Sequence, residues 1–124
     1  MPVLIDSDVL IEVSRGLDEK LLAVWQSLSD SHTVLLCSPI TIAELWHGAR
    51  PQEYKLIQAL FSSLVCVPID REVGRKAGDY LRQYSKSHHV ELGDALVAAT
   101  ASVSNAELWT RHRKHYPMKD VRLF

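Results

Sequence analysis

Near the start of the chain lies Val3-Leu4-Ile5, an apolar run that stops at Asp6, with Asp8 two residues further on. A run without polar alternation reads as a strand buried on both faces, the pattern of a parallel sheet rather than of a sheet with one wet side. Parallel strands need crossovers, and in open α/β sheets ligands sit beyond the carboxyl ends of the strands, where strand order reverses. A carboxylate at the end of the first strand is therefore placed for chemistry. Aspartate also caps helices well, and the rhythm of Val9, Leu10 and Val13 starts a helix at once. From this stretch alone the two readings stand level.

The same alternation continues down the chain. Residues 9–15 read as a short helix stopped near Gly16, and residues 18–28 carry the helical stripe Leu21, Leu22, Val24, Trp25 and Leu28. Residues 34–37 form a second buried strand, after which Ser38 and Pro39 open a helix, as cap and first helical residue, that runs to about Gly48. Pro51 starts another helix and residues 65–69 a third strand, and Asp70 caps a helix reaching about Lys86. Residues 85–89, with His88 and His89, read as a polar loop. From Ala95 a helix is small or apolar almost all round, so it belongs in the centre of the fold. Residues 107–110 are a fourth strand and 121–123 a candidate fifth. With no linker, repeat or low-complexity tract, residues 1–124 form one α/β domain around a mostly parallel sheet of four to five strands.

Composition narrows the function. A net charge of −1 gives no global field that announces a nucleic-acid binder. The basic residues of the last stretch, Arg111, Arg113, Lys114, Lys119 and Arg122, are opposed there only by Asp120 and read either as a solvated face or as a local phosphate-facing patch. No apolar run approaches the roughly 20 residues that span a membrane, and no basic-then-apolar leader is seen, so a cytoplasmic location is expected. Cys37 and Cys66 lie in apolar strand contexts without a CxxC spacing and read as inert core residues.

Three acids stand out. Asp6 ends the first strand, Glu44 follows the second strand among Ile40, Ile42, Ala43 and Leu45, and Asp94 opens the long apolar helix, with Glu91 three residues earlier. Right-handed crossovers bring these regions to one carboxyl-end edge. Carboxylates converging there repel one another, and a hard divalent cation, Mg²⁺ or Mn²⁺, removes that cost because it prefers oxygen ligands. Such an ion activates water and stabilises charge on a phosphoryl group, which points to metal-dependent phosphodiester hydrolysis. A first strand ending in Asp-x-Asp is also how haloacid-dehalogenase-type phosphohydrolases begin, with the first aspartate as nucleophile. That scheme lacks a suitably placed downstream lysine and a late Asp-Asp pair, and leaves Glu44 without a role.

Taken together, residues 4–11, residues 38–45 with Gly48 and Ala49, residues 93–101 and residues 108–111 resemble PIN domains, specifically the small toxin ribonucleases of VapBC-type toxin–antitoxin pairs. The resemblance spans nearly the whole chain, in family order. It implies a three-layer α/β/α domain, Mg²⁺ or Mn²⁺ at the acidic cluster, and endonucleolytic cleavage of RNA. It places Asp6, Glu44 and Asp94 as metal-binding catalytic acids and Asp8 as a supporting or additional ligand. His112 stands where the family usually has asparagine or aspartate, which makes it a metal ligand or a phosphate contact, or else marks a binding module that has lost cleavage. Arg111, Arg113 and Lys114 are candidates for positioning RNA phosphates. The resemblance further implies a VapB-type antitoxin that blocks the acidic pocket, and a toxin homodimer. Trp46 and Tyr54 are available for such interfaces.

Overall fold

The structure is a computed structural model that describes residues 1–124. Its centre is a five-stranded, all-parallel sheet in the order β3-β2-β1-β4-β5, formed by β1 (Val3–Ile5), β2 (Leu35–Cys37), β3 (Val65–Cys66), β4 (Glu107–Trp109) and β5 (Arg122–Leu123). The chain builds outward from β1 to β3 on one side, crosses back, and adds β4 and β5 on the other. Strand order therefore reverses between β1 and β4, whose register pairs Ile5 with Trp109.

Side-chain alternation along these short strands creates two cores, one on each face. Leu4, Leu36 and Leu108 point into the larger core, with α5 (Arg71–His88) and α6 (Leu92–Val103). Val3, Ile5, Leu35, Cys37 and Trp109 point into the other, with α1 (Ser7–Arg15), α2 (Glu19–Asp30) and parts of α3 (Pro39–Gly48) and α4 (Tyr54–Ser62). This is the expected three-layer α/β/α arrangement. Its central element is α6, whose Ala95, Ala98, Ala99 and Ala101 are fully buried and let α5 pack along it. Gly16 ends α1 in the left-handed region at φ 68°, where glycine carries no Cβ penalty. No helix is long and apolar enough to cross a membrane.

Several boundaries differ from the sequence reading. Pro51–Glu53 is a single 3-10 turn, and α4 proper begins at Tyr54. The expected polar loop at 85–89 is helix as far as His88, because Lys86 and His88 favour the negative end of α5 and Tyr84 packs edge-on against the His88 ring at 5.6 Å. α6 starts at Leu92 with Glu91 as its N-cap residue, so Asp94 lies in the first turn, as the sequence reading has it. Cys66 is exposed on the edge strand β3 while Cys37 is buried, and that burial pushes the Cys37 thiol up to about 12. Only Cys37 behaves as a core residue.

Leu108 is fully buried in the middle of the sheet. Leu108→Ala is expected to lower the free energy of unfolding by about 2–5 kcal/mol, read from denaturant titration.

Candidate active site

The carboxyl ends of β1 and β4, where strand order reverses, open into a cleft of about 540 Å³. Its walls carry Asp6 and Asp8 from the β1–α1 junction, Glu44 from α3, Glu91 and Asp94 from the start of α6, and His112, His115 and Tyr116 from the segment after β4. Asp6, Glu44 and Asp94 thus meet in one cleft, together with the additional candidates Asp8, Glu91 and His112. Asp120 lies elsewhere. It is held by Lys76 at 2.7 Å and by the Tyr80 and Ser102 hydroxyls at 2.8 and 3.2 Å, tying the approach to β5 to α5 and α6.

Asp6 is buried, and each of its oxygens has a distinct environment. Oδ1 accepts from the Ser7 backbone N–H at 2.9 Å, capping α1. Oδ2 accepts from the Thr110 hydroxyl at 2.9 Å and the Tyr116 phenol at 2.8 Å. Asp8 Oδ2 accepts from the Arg111 backbone N–H at 3.0 Å and lies 3.3 Å from His112 Nδ1, while Asp8 Oδ1 is buried without a partner. Asp94 Oδ2 accepts from the Glu91 backbone N–H at 3.4 Å, and its Oδ1 lies 3.8 Å from His115 Nδ1. The capping reading of Asp6 holds, and the cap fixes its carboxylate at the cleft.

Electrostatics record the crowding. Burial, and next the Asp6 charge, raise the carboxyl of Asp8 above the ordinary range. Glu44 is raised by burial and then by Asp6, with smaller contributions from Asp94 and Asp8. Asp94 is raised by burial, against the Glu91 N–H and His115, which act to lower it. Burial and the Asp6 charge push the Tyr116 phenol far up, so it stays a donor. Among side chains near this edge, Arg111 pairs with Glu12 at 3.2 Å, and Arg113 donates to the Phe124 carbonyl at 3.2 Å. Neither Arg113 nor Lys114 lines the cleft, and the basic groups that do are His89, His112 and His115.

The donor set fits a hard cation. It is made of carboxylate oxygens, one of them buried and unpartnered, in a cleft roomy enough for water. No three of the His, Cys, Asp or Glu side chains stand close enough together to hold a metal ion by themselves.

Sequence reasoning passed over Tyr116 and His115 and saw Thr110 only as a polar strand end. Tyr116 sits past an irregular turn at Arg113–His115, and no periodicity announces that its ring is buried with the hydroxyl aimed at Asp6.

A parallel three-layer domain with acids gathered at its switch point is an acid-cleft α/β protein. The PIN domain profile matches residues 3–119, and the chain belongs to that family. It is 37% identical to Ribonuclease VapC10 of Mycobacterium tuberculosis over 94% of this chain and 86% of that one. It is 30% identical to Ribonuclease VapC19 of the same organism over 93% of this chain and 92% of that one. Its fold superposes with a TM-score of 0.85, at 18% identity, on a chain from the crystal structure of VapBC2 from Rickettsia felis bound to a promoter DNA fragment, covering 100% of this chain and 98% of that one.

The raised carboxyls fix the sign of a pH effect in metal-free protein. A group whose folded pKa is raised contributes stability below its unfolded value, 3.8 for aspartate and 4.5 for glutamate here, and loses it as pH rises through the folded value. Asp120 runs the other way: partial burial acts to raise it, but Lys76 and Tyr80 hold it below the usual range, so its contribution is lost as pH falls. With three groups against one, the thermal midpoint of chelator-treated protein is expected to fall as pH rises from about 4.5 toward neutrality. Asp94→Asn is expected to raise that midpoint at neutral pH and flatten the profile, and a midpoint that climbs steadily toward neutral pH would contradict this.

Proposed function

We propose that this PIN-domain protein is an endoribonuclease that hydrolyses RNA phosphodiester bonds with the help of Mg²⁺ or Mn²⁺, as the toxin of a toxin–antitoxin pair. The observation that carries the reading is the convergence of Asp6, Asp8, Glu44 and Asp94 on one cleft, which is costly to maintain unless charge is their purpose. Membership of the PIN family, and identities of 37% and 30% with proteins named ribonucleases, support the choice of RNA.

Asp6, Glu44 and Asp94 would hold the cation, and Asp8 would add its unpartnered oxygen. A divalent cation bound there supplies Lewis-acid charge that makes water a better nucleophile and offsets negative charge on the phosphoryl group. Thr110 and Tyr116 hold the Asp6 carboxylate in place. His112 and His115 present ring N–H groups at the rim, where they hydrogen-bond phosphate oxygens. Arg111 stands just outside with Glu12 as partner and is the candidate for a flanking phosphate, with Lys114 further out, whereas the Arg113 guanidinium is engaged by the C-terminal carbonyl.

The same reading assigns a VapB-type antitoxin as partner and a homodimer as the working form. Supporting an interface, Trp46 and Tyr54 meet edge-on at 5.5 Å and Tyr54 is 44% exposed.

The test is cleavage of a mixed RNA pool by antitoxin-free protein with Mg²⁺ or Mn²⁺, beside chelator and Asp94→Asn controls. Cuts are expected only with metal, and Asp94→Asn is expected to lose more than the roughly 10–100-fold that removing a ligand's supporting partner costs. Folded protein that cuts no RNA in either metal would favour a binding module that has lost cleavage through His112. In the active protein, Arg111→Ala is expected to raise KM for RNA with little change in kcat, and to make binding less sensitive to salt.

A further inference from the structure

Asp6 Oδ2 is the most heavily engaged oxygen of the cleft. It accepts from the Thr110 hydroxyl at 2.9 Å and from the Tyr116 phenol at 2.8 Å, and Asp6, Thr110 and Tyr116 are 7%, 6% and 5% exposed. A carboxylate oxygen offers two lone pairs, so both are committed to hydroxyl donors. Oδ1 accepts from the Ser7 N–H at 2.9 Å and keeps one lone pair. The donors are fixed in turn. The Thr110 oxygen accepts from the His112 backbone N–H at 3.0 Å, and its single proton goes to the nearer acceptor, Asp6 Oδ2 at 2.9 Å, with Asp8 Oδ2 at 3.4 Å as the weaker alternative. The Tyr116 ring is packed into the larger core beside α6, which sets the aim of its phenol.

We infer that Thr110 and Tyr116 make Asp6 a one-oxygen ligand, and thereby make this cleft a site for one divalent cation rather than for a pair sharing Asp6. The inference rests on the proposed reading that a divalent cation binds here. Two ions about 4 Å apart act together in two-metal hydrolases, and a carboxylate bridges such a pair by giving an oxygen, or a lone pair, to each. With one lone pair left in all, Asp6 does neither. Asp8, Glu44 and Asp94 line the same cleft and would offer further carboxylate oxygens to that one ion. Tyr116 is a positioning residue in this arrangement, acting on the cation through Asp6.

The experiment is a calorimetric titration of the metal-free full chain with Mn²⁺, paired with electron paramagnetic resonance of the loaded protein. The wild type is expected to bind one ion per chain in the cleft and to give the spectrum of an isolated Mn²⁺. Tyr116→Phe keeps the ring and removes the donor, and is expected to weaken Mn²⁺ binding by roughly 10-fold or more. Thr110→Val should do the same, while Thr110→Ser, which keeps the hydroxyl, should bind nearly as the wild type does; circular dichroism melts establish that each variant is folded. Two spin-coupled Mn²⁺ ions per wild-type chain would overturn the inference, as would unchanged affinity in folded Tyr116→Phe and Thr110→Val. If either variant fails to fold, the wild-type stoichiometry and spectrum decide alone. A wild type that binds no Mn²⁺ would instead remove the metal-dependent reading beneath it, a result distinct from either of the others.

Discussion

Like-charge repulsion at the carboxyl edge of β1 and β4 is the constraint around which the molecule is arranged. Asp6, Asp8, Glu44 and Asp94 share one cleft, where burial first and their like charges after it make three of them hold protons more tightly than free carboxyls do. Nothing in such a cluster favours folding at neutral pH. The stability that holds it comes from the two cores either side of the sheet, where β1 contributes Leu4 to one and Val3 and Ile5 to the other. The residue that joins both cores to the cleft is Asp6, directly after Ile5.

The fold also lowers the cost locally. Asp6 caps α1, Asp8 lies in its first turn, and Asp94 lies in the first turn of α6, so three of the four acids sit at the positive ends of helices. Backbone N–H groups of Ser7, Arg111 and Glu91 reach one oxygen each of Asp6, Asp8 and Asp94. Glu44 has no such help. It lies in the middle of α3, and of its neighbours only the Ser7 hydroxyl acts to lower its pKa against burial and the other acids. Its charge is the one that depends most on what enters the cleft.

Much of this was legible because it follows from local rules. Apolar runs without alternation marked β1 and β2, Ser38-Pro39 marked the start of α3, and an almost wholly apolar α6 had to be central. The three acids were legible because each follows or opens an element whose polarity is known. What stayed hidden depends on distance in sequence. Strand order, β3-β2-β1-β4-β5, joins segments far apart in the chain, such as β1 with β4. Cys66 reads as core from its neighbours and is exposed only because β3 is a sheet edge. The bond from Tyr116 to Asp6 spans 110 positions, and its only sequence sign is a tyrosine in a polar stretch.

Residues 110–116 show why composition misleads here. Counted as charge, the stretch is a basic patch facing solvent or phosphate. In three dimensions it is a wall of the cleft whose members do different things by position: Thr110 and Tyr116 turn inward to Asp6, the His112 and His115 rings meet tilted with centroids 5.2 Å apart at the rim, and Arg111 turns outward to Glu12. Its two ends are anchored by burial, Thr110 next to the end of β4 and Tyr116 in the larger core, so the intervening turn has little freedom. His112 adds no negative charge to this overcrowded cleft, and its ring sits 3.3 Å from an Asp8 oxygen already engaged by the Arg111 N–H. The cleft is lined by five carboxylates, Asp6, Asp8, Glu44, Glu91 and Asp94, which form the oxygen-rich lining that a hard cation selects.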